Sequence, residues 1–567
     1  MKETLIDIET YSEVDIGKCG LYRYATDPSF EILLVAWATD EGDGFGETRC
    51  ADLASGEPLP KELLEDFQSG NVRLIAHNAS FERVCFSVHL QRHLPGQYLK
   101  PGEFLSPDSW ICTMVMAASL TLPMALKDVG IVLKTSQQKD KEGERLIKLF
   151  SMPCKPTKSN GMRTRNLPEH YPADWEKFKY YCIQDVNTEV DIYKRLKKFP
   201  MPEQEWKHYR VNERINDRGV KIDTELVQQA IACDLLLSDA MSKKAYELTG
   251  LENPNSVSQL KSWLDERGIP MDTLGKKDVA QMIDELDKNG VDAEAMDMLK
   301  LRLQMAKSSV KKYQAAERCV CSDGRARGLF QFYGASRTGR YSGRNIQLQN
   351  LPQNHISTLN EARELVKLGC FDMVETIYGN TPDVLSQLIR TMLIPREGCE
   401  FIVADFSAIE ARVLAWEAGE DWRLEAFLEG KDIYCASASQ MFHVPVVKHG
   451  INGELRQKGK VAELACGYGG SSGALISMGA LQMGLKEEEL PEIIDSWREA
   501  NPKIVQYWWD VEKAATQAFK TGKRQEIGKL AFEFYSGTLW MLLLLEEAGV
   551  SEAETAAEPL RSHEPDL

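Results

Sequence analysis

A multidomain α/β fold is predicted by three observations: apolar runs of strand length alternate with helical stretches over residues 1 to 200, the pattern from 201 to about 318 is helical, and strand-like sequence returns near 328. In the first region the strand candidates are Leu5-Ile6-Asp7-Ile8, Ile32-Leu33-Leu34-Val35-Ala36-Trp37 and Arg73-Leu74-Ile75-Ala76. Phe199-Pro200-Met201-Pro202 interrupts both periods and ends this part of the chain. Beyond it, Gly219 and the Asn253-Pro254-Asn255-Ser256 turn punctuate the helical stretch. Ser256 is placed to cap the helix through Leu260 and Leu264, since its hydroxyl can accept from a free N–H of the first turn. The later strand is Gly328-Leu329-Phe330-Gln331-Phe332-Tyr333.

A chain of 567 residues and 64.0 kDa exceeds what one core supports and predicts several domains. Hydrophobic residues at 43% and charged residues at 27% exclude global disorder. The sequence has no apolar run of membrane-spanning length and opens on strand-like residues rather than a signal peptide. These features predict a cytoplasmic protein with no membrane partner. The 13 cysteines are scattered, and Cys319 and Cys321 lack the second pair a structural zinc site needs, so they read as reduced thiols. A net charge of -17 argues against polycation-like DNA binding and shifts attention to local basic clusters.

Asp7-Ile8-Glu9 places two carboxylates on one face of a strand, where they can share a divalent cation. Taken alone, Asp-x-Glu on a strand is more often a solvated face. His77-Asn78-Ala79-Ser80-Phe81-Glu82 after a second strand, and Tyr181-Cys182-Ile183-Gln184-Asp185 on a later helix, add two further acids from separate segments. For Asn78 and Phe81 the plain readings are a turn residue and a core aromatic.

This order of acids resembles the DEDD exonuclease superfamily, in its tyrosine-type subgroup. The resemblance implies an RNase H-like fold over residues 1–200 that removes nucleotides from a DNA 3′ end. Asp7, Glu9, Glu82 and Asp185 would then bind two Mg2+ or Mn2+ ions, and Tyr181 would position the attacking water. One departure is Glu82, which stands where the superfamily usually has Asp.

Phe401-Ile402-Val403-Ala404 reads as an apolar strand that delivers Asp405 to its end, after which Phe406-Ser407-Ala408-Ile409-Glu410-Ala411-Arg412 turns helical. In Arg456-Gln457-Lys458-Gly459-Lys460 through Leu464 to Tyr468, the residues Arg456, Lys460 and Tyr468, spaced four and then eight apart, read as one cationic helix face. A carboxylate opposite such a face suits Mg2+ with a triphosphate. These stretches resemble motifs A and B of the A-family DNA polymerases, the family of bacterial DNA polymerase I and its phage relatives. Thr338-Gly339-Arg340 through Arg344-Asn345-Ile346-Gln347-Leu348-Gln349-Asn350 is similar to the family's primer-template segment, with Gln347 in place of the usual Asn. Arg337, Arg340, Arg344, Gln347, Gln349 and Asn350 are therefore the expected DNA-binding residues.

The resemblance implies that Asp405 holds two catalytic metal ions and that Glu410 and Tyr468 exclude a 2′-hydroxyl. Arg456 and Lys460 would clamp the triphosphate, with Leu464 replacing the usual stacking aromatic against the base. Tyr434 in Asp432-Ile433-Tyr434 replaces a usual His. The implied partners are primer-template DNA, single-stranded 3′ ends and deoxynucleoside triphosphates. The implied order is an exonuclease domain (1–200), a helical thumb (201–327), a first part of the palm (328–425), fingers (426–525) and a truncated palm with a non-native tail (526–567).

The family's motif C, a His-Asp-Glu hairpin, has no counterpart, because none of the nine histidines precedes an aspartate. The similarity stops at Leu539-Trp540-Met541-Leu542-Leu543. The tail from Glu546 reads as frame-shifted sequence, with a split gene whose second product completes the palm as the alternative. An exonuclease alone and a noncatalytic primer-template binding protein are the rival functions.

Overall fold

The computed structural model describes residues 1–135, 141–289, 292–305, 310–335, 338–483, 485–535, 538–543 and 557–559. It divides into two compact units, one formed by Met1–Pro200 with Gln204–Glu400 and the other by Met201–Glu203 with Phe401–Leu567. Arg337 and the tail residues from Leu544 to Ala556 and beyond Pro559 lie outside the described residues.

The first unit opens with a five-stranded mixed sheet in the order β3-β2-β1-β4-β5, made of β1 (Lys2–Tyr11), β2 (Glu31–Asp40), β3 (Arg49–Asp52), β4 (Val72–Ala76) and β5 (Trp110–Cys112). β1 runs antiparallel to β2 and parallel to β4, but β4 pairs only with Lys2 to Leu5. The second half of β1, carrying Asp7 and Glu9, therefore projects past the end of β4. Open α/β sheets place their ligand crevice at such carboxyl ends. A register shift between Glu9 and Thr10 bends the strand at the same place. The three strand candidates of this region all fall within β1, β2 and β4.

The Pro172–Leu196 helix lies against β1 and β2 and begins with proline in its first turn, where no intrahelical N–H bond is lost. Its buried stripe runs Trp175, Phe178, Cys182, Val186, Ile192 and Leu196, the spacing of an apolar helix face. Asp185 and Glu189 share that inward side. The Ser80–His93 helix is tied to the Glu203–Arg218 helix by Arg83, which donates to Asp217 Oδ2 at 2.8 Å and to Glu213 Oε2 at 2.9 Å. This explains the two acids of Glu213-Arg214-Ile215-Asn216-Asp217, since both serve one guanidinium that is 1% exposed.

From 203 to 319 the chain is helical, interrupted by a short strand, β6 (Val220–Ile222), which pairs with β7 (Arg325–Ala326) and β10 (Leu393–Ile394). Ser256 caps the Val257–Glu266 helix by accepting from Gln259 N, as its sequence context predicts. β8 (Phe330–Ala335) and β9 (Arg340–Gly343) form a hairpin.

The second unit is helical, with a four-stranded antiparallel sheet of β11 (Gln525–Ile527), β12 (Leu530–Tyr535), β13 (Thr538–Leu543) and β14 (Ala557–Pro559). Its core gathers Val461, Ala462, Leu475, Ile493, Ile494, Trp497 and Ile504. Two expectations are corrected here. Phe401 to Ala404 is not a strand: Ile402 and Val403 are 91% and 90% exposed, and no strand among the described residues pairs with them. Apolar alternation gives β structure only where a neighbour satisfies the backbone. Tyr468 does not share the helix of Arg456 and Lys460. That helix, Leu455–Cys466, ends two residues earlier and passes into a turn where Gly469 takes φ 71°, and Tyr468 is 64% exposed.

Candidate functional site

In the first unit, oxygen atoms of Asp7, Glu9 and Asp185 all lie within 4.8 Å of one another. Two come from one face of β1 and the third from the Pro172–Leu196 helix, so the strand and the helix laid across it converge on one point. Glu9 and Asp185 are 8% and 6% exposed, and carboxylates packed so closely while largely withdrawn from water repel unless a cation or protons intervene. Oxygen-only donors at this separation fit a hard divalent ion.

Glu82, in the first turn of the Ser80–His93 helix, is 3% exposed, and its Oε2 has no hydrogen-bond partner. Burial first, and then the charge of Asp7, push its carboxyl well above the usual range. An orphaned buried carboxylate oxygen on a residue that feels the charge of Asp7 is the second observation that fits a cation, because one ion would satisfy the atom and offset the repulsion. Residues Asp7, Glu9, Asp185 and Glu82 are thus the ones that could hold it.

Tyr181 lies one helical turn before Asp185, 6% exposed and stacked on Phe178 with ring planes 8° apart. Burial, followed by the Asp185 and Glu9 carboxylates, raises its hydroxyl far above the usual tyrosine value, so it remains an O–H donor throughout the physiological range. Gly143 on the Lys141–Phe150 helix makes room for the ring, since a Cβ there would sit 2.1 Å from Tyr181 Cε2. Asn78 has φ 72°, consistent with a turn residue, and Phe81 packs against Tyr24 with centroids 6.4 Å apart.

One residue of this neighbourhood escapes the motif reading. Glu189, 1% exposed and one turn beyond Asp185, accepts from Thr113 Oγ1 at 2.9 Å and from the His77 backbone N–H. Thr113 Oγ1 also contacts His77 Nδ1 at 2.9 Å, while His77 Nε2 meets the Met124 carbonyl at 2.8 Å. This chain clips the segment leading to Glu82 onto the helix that bears Tyr181 and Asp185. Burial, and then Asp7 and Asp185, raise Glu189 well above the carboxylate range despite its two donors. Its sequence signal is an acid four residues after Asp185, on the helix face where periodicity demands apolar side chains.

The hairpin of β8 and β9 and the loop behind it carry the expected DNA-binding residues. Arg340, Arg344, Gln347, Gln349 and Asn350 are exposed, and Asn345 and Gln347 adopt φ 54° and 55°. Lys312 Nζ steadies the loop by donating to the Ile346 carbonyl at 2.9 Å.

In the second unit Asp405 is exposed on the extended segment before the Ile409–Ala418 helix, and among the described residues no group of three metal-ligating side chains includes it. Glu410, in that helix's first turn, accepts from the Tyr468 hydroxyl. These two residues therefore meet even though Tyr468 lies beyond its expected helix. Arg456 donates through Nη2 to Asp432 Oδ2 at 2.8 Å and lies over the Tyr434 ring at 5.1 Å. The Asp432 hydrogen bonds hold its guanidinium above the usual value, so it is a permanent cation already engaged by one carboxylate. Lys460 is one turn further along the same helix, and Leu464, partly exposed, follows by another. Gly459 allows the Ile433–Phe442 helix to approach closely, because a Cβ there would lie 2.3 Å from the Tyr434 carbonyl.

Comparison with known proteins places the chain in a family. The fold resembles a solved structure of the POL domain of Pol1 from M. smegmatis in complex with DNA primer-template and dNTP. The TM-score is 0.54 at 17% identity, over 93% of this chain and 76% of that one. The fold is thus that of a polymerase domain. Residues 235–527 match the family described as DNA polymerase family A. A DNA polymerase of Bacillus phage SP02 is 52% identical over 544 residues, covering 96% of this chain and 81% of that protein. DNA polymerase I of Geobacillus stearothermophilus is 27% identical over 303 residues, 53% of this chain and 31% of that enzyme. The chain belongs to DNA polymerase family A.

Proposed function

We propose that this chain acts in phage DNA replication as a family A DNA polymerase that carries a 3′–5′ proofreading exonuclease in its first 200 residues. The observation that carries the nuclease half is the convergence of Asp7, Glu9 and Asp185 within 4.8 Å, joined by the unpartnered Glu82 oxygen on a residue that feels the charge of Asp7. Mg2+ or Mn2+ held by these residues would stabilise charge on the phosphoryl group and on the departing 3′ oxygen. Tyr181, kept protonated by burial and its acidic neighbours, donates a hydrogen bond that can orient a water against the phosphate. The Glu189, Thr113 and His77 chain holds the two carboxylate-bearing segments in register.

For the polymerase half, Asp405 would hold metal ions, Arg456 and Lys460 would neutralise a triphosphate, and Leu464 would cover the base. Glu410 with Tyr468 would crowd the sugar's 2′ position, and their mutual hydrogen bond supports that pairing. Arg340 and Arg344 with the loop amides would bind primer-template phosphates and sugar edges. Arg337 is assigned there by sequence alone. The ion pair with Asp432 means that Arg456 must exchange partners to reach a triphosphate.

A second reading, exonuclease alone, is favoured by one observation: the first-site acids converge, whereas Asp405 stands exposed and, among the described residues, belongs to no group of three metal-ligating side chains. Steady degradation of 3′-labelled single-stranded DNA with Mg2+ or Mn2+, lost in Asp7→Ala, supports the nuclease. Full activity in Asp7→Ala removes the assignment.

A further inference from the structure

One row of residues across the first unit's sheet ends at the acids. Asp7 on β1 is registered opposite Ala36 on β2, and Ala36 opposite Cys50 on β3. Residues paired in this way point to one face, so Asp7 and Cys50 stand on the same side of the sheet, two strand spacings or about 10 Å apart. Ala36 between them contributes only a methyl group, and the Pro172–Leu196 helix, which lies over β1, β2 and β3, brings Cys182 into the space. The Cys182 thiol donates to Asp7 Oδ2 at 3.7 Å and shares a side-chain hydrogen bond with Cys50.

Two further contacts hold the sulfurs in this position. Thr48 Oγ1 donates to Asn187 Oδ1 at 2.6 Å, and Asp52 Oδ2 accepts from Trp175 Nε1 at 2.7 Å. Cys50 is midway between Thr48 and Asp52, and Cys182 falls between Trp175 and Asn187, so strand and helix are pinned on both sides of the pair. The two thiols differ in access, Cys182 being fully buried and Cys50 half-buried. An accessible thiol with a second one within reach is the arrangement that oxidation converts to a disulfide instead of higher sulfur acids.

We propose that Cys50 and Cys182 form an oxidation site whose disulfide switches off the neighbouring acids; the switching rests on the nuclease reading, whereas the disulfide does not. The oxidant is hydrogen peroxide. The Cys50 sulfur attacks one peroxide oxygen, the O–O bond breaks, and the thiol proton leaves with the departing oxygen as water. The Cys182 sulfur then attacks the Cys50 sulfenic acid, and its own proton departs with the sulfenic hydroxyl as a second water. Two thiols and one peroxide thus give one disulfide and two waters, the sulfurs supplying the two electrons that reduce the peroxide. The new bond takes the S–H donor from Asp7 and ties to β3 the helical turn on which Tyr181 and Asp185 flank Cys182. A dithiol reductant returns both thiols.

The test treats the full chain with hydrogen peroxide in EDTA, removes the peroxide with catalase, and divides the sample between peptide mapping and a 3′-end release assay in Mg2+. Cleavage after lysine and arginine leaves Cys50 as the one cysteine of peptide 50–61 and Cys182 as the one cysteine of peptide 180–194, so their link has a single defined mass. That mass should appear in oxidised wild type, vanish with dithiothreitol and be absent from Cys50→Ser. Nucleotide release by wild type should fall about tenfold or more on oxidation and return with dithiothreitol, while peroxide-treated Cys50→Ser keeps its untreated rate. Oxidised cysteines without the link between these two peptides, or a linked chain that degrades DNA at the untreated rate, overturns the proposal. Failure of the nuclease reading would appear separately, as degradation in reducing buffer that Asp7→Ala leaves undiminished, with the linked peptide still forming.

Discussion

Glu189 and His89 show how single residues of the first unit acquire roles from their surroundings. Glu189→Ala removes the acceptor for Thr113 and the His77 N–H, and should lower 3′-end nucleotide release by about 10- to 100-fold, the usual effect of losing a group that orients metal ligands. Glu189→Gln keeps an oxygen for both donors and should retain most of the rate, whereas equal losses in both variants would assign Glu189 a purely electrostatic role. At His89, burial and the neighbouring His93 and Arg92 charges pull the imidazole down to about 4. Its neutral form is therefore the one the fold favours. That contribution is fully present above about pH 6.5, declines as the pH falls and is gone below about 4, on the order of 3 kcal/mol in all. In urea titrations the stability of wild type relative to His89→Gln should fall by about 3 kcal/mol as the pH is lowered from about 6.5 to 4, and a constant difference across the range would refute the shift. That Asp7 and Glu9 share a strand face, and that Tyr181 and Asp185 lie a turn apart on one helix, was legible in the sequence because strand and helix periods fix which side chains share a face. Glu189 was not, because its partners are 76 and 112 positions distant along the chain and only the tertiary fold joins them.

Among the elements, the helices of the second unit are locked by one buried cation. Arg423, fully buried on the Asp421–Leu428 helix, donates to Glu463 Oε1 at 2.8 Å and to Asn501 Oδ1 at 3.0 Å. Glu463 Oε1 also accepts from Ser437 at 2.6 Å and from Trp497 Nε1 at 2.8 Å, joining four helices. Arg423→Ala leaves that carboxylate buried and unpaired and should destabilise the unit by about 3–5 kcal/mol in equilibrium denaturation. A loss below about 1 kcal/mol would mean that water relieves the charge. Helix signals of this kind were legible where caps and periodicity are local, as at Ser256. The strand at Phe401 to Ala404 was misread because its apolar pattern says nothing of whether a pairing partner stands beside it, and Ile402 and Val403 are left exposed.

For the whole molecule, the alternation of elements over residues 1–200 revealed the mixed sheet, and the motif order revealed the family. The grouping of Met1–Pro200 with Gln204–Glu400 did not show in the sequence, since the Arg83 ion pairs that tie helices on both sides of residue 200 are contacts between distant positions. Salt should weaken primer-template binding, log affinity falling with log salt as phosphate contacts release counterions. Lys460→Ala should weaken nucleotide binding more than DNA binding, and an equal loss of both would place Lys460 away from the triphosphate. The central proposal joins a nuclease site of Asp7, Glu9, Glu82 and Asp185 in the first unit with a polymerase site in the second in which Asp405 is the one recognised carboxylate. Its most direct test follows a 5′-labelled primer on template with Mg2+, with and without all four deoxynucleoside triphosphates, for residues 1–567 and the variants Asp7→Ala and Asp405→Ala. Wild type and Asp405→Ala should shorten the primer, Asp7→Ala should not, and none of the three should show detectable extension. Shortening that survives in Asp7→Ala, or robust extension that Asp405→Ala abolishes, would contradict it.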